Sequence, residues 1–152
     1  MTRAARGLLP LATALLFLGC SGSLDDLTAR HATKEAAPPG VETAPKVVFN
    51  SPRHHGAYTF GHGVRQAFTD KGVFLECGLP MFKERLWIPL AAIAGCSRTQ
   101  WSHRRWDTNL WVEDAQVLIS FPDNGDRLAN WCSARGITMF DHETEAKWLQ
   151  LR

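Results

Sequence analysis

Nine consecutive residues, Arg98-Thr99-Gln100-Trp101-Ser102-His103-Arg104-Arg105-Trp106, interleave guanidinium and indole groups, and Trp111 follows closely. Trp and Arg dominate binding hot spots, because a flat apolar ring beside a cation can grip sugars, anions and other side chains. If Leu86, Ile88, Leu110 and Val112 face a core, strand alternation turns Trp87 and Trp111 outward. The candidate binding set is therefore Trp87, Arg98, Trp101, Arg104, Arg105, Trp106 and Trp111. The competing reading has the same Trp residues covering the open end of a small barrel, with Arg104 and Arg105 solvated. A second cluster, His54, His55 and His62, lies in one loop-like region where three imidazoles could gather a metal or form a hydrolytic site. Adjacent histidines usually diverge and such loops are usually solvated, so no metal or cofactor is expected. Gly-x-Ser-x-Gly, His-Glu-x-x-His and a phosphate-cradling glycine loop are all missing from the sequence, and catalysis is not the favoured reading.

The 152 residues begin with Arg3 and Arg6 ahead of an apolar run from Leu8 to Leu18, too short to span a bilayer but right for the centre of a secretory signal. The run closes on Phe17-Leu18-Gly19-Cys20, which resembles the lipobox of bacterial lipoproteins, with Phe17 where Leu is usual. That resemblance implies removal of residues 1–19 as a signal peptide and acylation of Cys20 as the first mature residue. Ser21 in the second mature position resembles the choice that sorts such proteins to the outer membrane, facing the periplasm. Cleavage would remove two of the 17 basic side chains and leave 15 against 15 acidic ones, so the charge offers no support for a nucleic-acid partner. Residues 20–46 are rich in Ala, Thr, Pro, Gly and charge, with Ala36-Ala37-Pro38-Pro39-Gly40 at the centre, and read as the lipidated cysteine plus a flexible linker.

An exported chain meets oxidising conditions, so a disulfide is expected among Cys77, Cys96 and Cys132. Cys77 and Cys96 fall at strand ends, and bridging them would stabilise by about 3 kcal/mol on the chain-entropy estimate. Cys132 reads as a core-facing helix residue. With no Cys-x-x-Cys spacing, structural zinc is not expected.

The elements that must hold these residues lie between Val47 and Arg152. Val117, Ile119 and Phe121 alternate as one apolar strand face, and Pro122-Asp123-Asn124-Gly125 ends that strand. Asp123 or Asn124 can cap a helix carrying Leu128, Trp131 and Cys132 on one side, with Gly136 as its left-handed stop and Ile137 as the apolar contact beyond. Val64–Thr69 and Val73–Cys77 flank Asp70-Lys71-Gly72 as a hairpin, Glu84–Ile88 is a third strand, and Pro89–Gly95 reads as a helical turn or bulge before a strand at Cys96–Trp101. Asn109–Glu113 and Ala115–Phe121 form a second hairpin. Asp141 can cap a short amphipathic terminal helix with Trp148 and Leu149 or Leu151 on one side.

A strand entering Trp87-Ile88-Pro89, Ile93 four places on, two further strands and then a helix resemble the bacterial pleckstrin-homology (PH-like) pattern over about 64–137. The resemblance implies a mainly β (α+β) domain over 47–152: a small PH-like barrel or sandwich closed by a C-terminal helix, plus a short extra terminal helix. The first hairpin lacks the Lys/Arg cluster that phosphoinositide-binding members use, so what is implied is a scaffold and not a headgroup site. The sequence thus points to an envelope lipoprotein whose non-catalytic domain binds a protein or glycan. The alternatives are a small hydrolase using the His54–His62 loop and a structural envelope spacer.

Overall fold

The computed structural model describes residues 22–54, 57–61, 63–79, 82–123 and 126–150, excluding the side chains of Leu79, Phe82 and Trp101. The signal segment, Cys20, His55, His62 and the Asn124-Gly125 pair lie outside the described residues. In chain order the elements are α1 (Gly22–His31), β1 (Glu42–Ala44), β2 (Val47–Asn50), β3 (Tyr58–Phe60), β4 (Val64–Phe68), β5 (Gly72–Leu79), β6 (Phe82–Pro89), a single 3-10 turn (Leu90–Ala92), β7 (Ile93–Ser102), β8 (Arg105–Val112), β9 (Val117–Pro122), α2 (Arg127–Ala134), β10 (Met139–Phe140) and α3 (His142–Gln150). The strands make two sheets, β1-β4-β5-β6 and β10-β7-β8-β9-β2-β3, all antiparallel except the β10–β7 pair. The protein is mainly β and sandwich-like. Neither sheet closes on itself, which corrects the barrel expectation.

The local signals explain most of the strands. The β4–β5 hairpin turns through Asp70 and Lys71, and Gly72 at φ +146° sits against the Ile88 carbonyl where any side chain would collide. Pro89 ends β6, and the Leu90–Ala92 turn carries the chain from the small sheet into β7 of the large one. Alternation then aims Leu86, Ile88, Leu110, Val112, Val117 and Ile119 between the sheets, where all are fully buried. Asp123 accepts the Leu128 and Ala129 N–H groups, both at 3.1 Å, and so caps α2 as expected. Gly136 closes the helix at φ +67°, with the Ile137 N–H returning to the Cys132 carbonyl. From α2, the Trp131 indole N–H and Arg135 Nε both donate to the Thr69 carbonyl, so this helix ties the turn of the small sheet to the large sheet.

Two corrections concern the chain before and after this framework. Residues 22–44 do not run as a flexible linker: α1 inserts Leu24 and Leu27 into the core, Ala32 pairs with Leu86, and β1 pairs with β4. Two buried leucines contribute about 4 kcal/mol together, enough to order a helix whose composition alone suggests a tether. The disulfide joins Cys96 to Cys132, while Cys77 is a free, buried core residue. Helix α2 carries Cys132 onto Cys96 of β7, whereas Cys77 stands on β5 of the other sheet.

Candidate functional site

The β7–β8 hairpin brings part of the predicted binding set to one tip. Its register pairs Gln100 with Trp106 and Ser102 with Arg105, leaving His103 and Arg104 exposed in the turn. Arg98 lies with its guanidinium 4.6 Å from the centre of the half-buried Trp106 ring and also pairs with Asp126 at the start of α2. A guanidinium over an indole is a cation–π arrangement, and here it stiffens both side chains. The Arg98 Nε is buried with no hydrogen-bond partner among the described residues. Arg105 is exposed and its Nε is 3.4 Å from the buried Asp107 carboxylate. The Trp101 side chain lies outside the described residues. Chemically the tip offers exposed cations beside an aromatic face.

Trp87 and Trp111 do not join this tip. Trp87 is half-buried on the outer face of the small sheet, its ring 6.0 Å from that of Phe74. Trp111 does point away from the core, as the alternation requires, but it is only 2% exposed. The C-terminal segment covers it: Phe140 and Trp148 stack at 4.5 and 5.2 Å, and its N–H donates to Ser97 Oγ at 3.0 Å. Trp111 is therefore removed from the surface binding set.

The covering segment also lodges a buried carboxylate that sequence reasoning missed. Glu145 of α3 accepts hydrogen bonds from Ser97 Oγ, from Asn109 Nδ2 at 2.9 Å and from Thr99 Oγ1 at 3.3 Å. Helix α3 itself starts as expected, with the Thr144 N–H donating to Asp141 at 2.8 Å. That bond and the Thr144 hydroxyl hold the Asp141 carboxyl below its ordinary value, the hydroxyl having the larger effect.

A second missed cluster lies on the outer face of the small sheet. Glu76 is paired with Arg85 at 2.8 Å, Arg65 at 3.0 Å and Lys83 at 3.2 Å. The Arg85 hydrogen bond, opposed by burial and helped by Arg65 and Lys83, lowers the Glu76 carboxyl from 4.5 to about 2. The signal for this cluster was present in the hairpin register: Glu76 stands directly opposite Arg65 on one side and Arg85 on the other. Behind it, burial first and the Glu76 and Glu84 charges next push the Cys77 thiol up to about 12, which makes it a poor nucleophile.

Of the histidine loop, His54 is described, and its Nε2 lies 2.9 Å from Asp26 of α1. His31 makes a similar 2.9 Å contact with Asp114. Both imidazoles dock α1 onto the body of the domain. One further cavity, of about 270 Å³, opens between β1, β4 and the start of α2, with Phe68, Phe121 and Leu128 on its wall and Glu42 and Arg127 paired at its rim. Comparison with protein-family models, with curated proteins and with solved structures gives no match.

Proposed function

We propose that the protein is an envelope lipoprotein, anchored through acylated Cys20, whose PH-like domain holds a protein or glycan component of the envelope at the β7–β8 tip without catalysing a reaction. The observation that carries the binding assignment is the exposed Arg104 and His103 beside the Arg98–Trp106 stack. Cations and an aromatic ring held in fixed relation are the groups that dominate hot spots, because little side-chain freedom is lost when a partner arrives. The PH-like assignment is supported by the element order: β4 to β6 in one sheet, β7 to β9 in the other, and α2 directly after β9. The address is supported by the signal-like run and by Phe17-Leu18-Gly19-Cys20. No helix among the described residues is long and apolar enough to cross a membrane.

The test replaces Arg104, which makes no cross-strand bond in the hairpin register, by glutamate. A photoreactive side chain at His103 is cross-linked in intact cells, and co-sedimentation with isolated cell-wall sacculi is measured in parallel. Loss of the adduct or of sedimentation in Arg104→Glu, at an unchanged melting temperature, is the expected result. Adduct formation and sedimentation unaffected by the charge reversal would overturn the assignment of the tip.

A further inference from the structure

The position of α1 fixes which way the domain faces. Gly22 begins the helix, and Ser21 alone separates it from Cys20. At no more than about 3.6 Å per residue, an acylated Cys20 lies within roughly 7 Å of Gly22. Gly22 itself is pressed against the His54 ring, with no room for a side chain. His54 bonds Asp26 one turn further along, and its neighbour Arg53 donates to Gln116 at 2.7 Å. At the other end of the helix His31 bonds Asp114. Gln116 and Asp114 both belong to the turn between β8 and β9. Helix α1 therefore lies across that end of the sandwich, with Leu24 and Leu27 plugging the core beneath it.

Strand β8 runs from the Trp/Arg tip to this turn. The seven residue steps from Val112 to Arg105 cover about 23 Å. We infer that the bilayer receiving the acyl chains of Cys20 seats against the α1 end of the domain, and that the β7–β8 tip projects away from that bilayer. The inference rests on the acylation proposed above. The α1 end carries Asp25, Asp26, Glu113 and Asp114 alongside Arg30, His31, Arg53 and His54, so it has no cationic excess with which to hold an anionic surface unaided. The acyl chains supply the attachment and the docked helix supplies the orientation. The tip's partner is then a component beyond the headgroup layer of the anchoring membrane, out of reach of those headgroups.

The test places a fluorescent side chain at Ala29, on the exposed face of α1, or at Arg104 in the full-length protein, and reconstitutes each into vesicles whose headgroups carry a nitroxide quencher. Quenching several-fold stronger at position 29 than at position 104 is expected. Equal quenching, or stronger quenching at 104, with acylation verified by intact mass, would overturn the orientation and leave the anchor standing. An unacylated mass, or a Cys20→Ala variant that stays on the vesicles with the same quenching, would overturn the anchor and the orientation together.

Discussion

Glu76 and Glu145 are both lodged on the outer face of a sheet and both almost fully buried, yet one is surrounded by cations and the other by neutral donors. Glu76 sits among Arg65, Lys83 and Arg85, whose side chains are about 40% exposed and keep their charges solvated. All four residues lie within one antiparallel pair of hairpins, so the cluster assembles from neighbours in register. Glu145 arrives from α3, 36 residues beyond Asn109, and finds Ser97, Thr99 and Asn109. Its site exists only when the C-terminal segment lies down on β7 and β8. The small sheet thus finishes its outer face with local charge, and the large sheet finishes its own with a remote strap. A charge cluster open to water tolerates the loss of one member, whereas a covered polar network strands every group whose partner is removed.

The Cys96–Cys132 bridge gives the largest expected effect, because it fastens α2, the helix that holds both regions together. Closing its 36-residue loop restrains the unfolded chain by about 4 kcal/mol, so Cys132→Ser should lower urea stability by that order. Two separate transitions in that variant would mean that the two sheets unfold independently. The strap comes next. Trp111→Ala should cost about 3 kcal/mol, since it removes a buried ring packed against Phe140 and Trp148, whereas the half-buried Trp87→Ala should cost about 1 kcal/mol. Equal losses in chemical denaturation would erase the distinction between the two faces.

Smaller effects separate the two acids directly. Glu145→Ala should destabilise by about 2 kcal/mol by leaving the buried Ser97 hydroxyl without its acceptor and taking the Asn109 amide's shortest hydrogen bond. Glu76→Gln should cost about 1 kcal/mol, a figure reduced by the exposure of its three partners. The smallest signature is in the pH profile. The folded Glu76 carboxyl lies near 2, below its ordinary 4.5, so its stabilisation is present above about 4.5 and is lost as the pH falls toward 2. Stability measured between pH 5 and pH 2 should therefore decline less steeply in Glu76→Gln than in the parent protein. An identical slope would place the acid dependence elsewhere.

The features legible in the sequence were those set by near neighbours. The Asp123 cap, the Leu128, Trp131 and Cys132 face, the Gly136 stop, the turn after Pro89 and both hairpins follow from turn chemistry and alternation, and the structure contains each of them. What escaped depended on distant chain. Leu24 and Leu27 look like two leucines in a polar stretch until the open end of a sandwich is there to receive them. Nothing local to Ser97, Thr99 and Asn109 announces that α3 will cover them. The same covering moved Trp111 from surface to interior, although its direction was read correctly. Cys77, near a strand end in the sequence, looks like a partner for Cys96, but the helix brings Cys132 there instead.

Intact mass of the protein extracted from membranes, compared with a Cys20→Ala variant and with the cell fraction holding each, tests the account most directly. The expected result is a chain beginning at Cys20 with acyl chains attached, recovered with membranes, and loss of both the mass increment and the membrane fraction in the variant. A chain that keeps residues 1–19, or one that begins elsewhere without acyl groups, would contradict it and would leave the β7–β8 tip without the address from which its partner was argued.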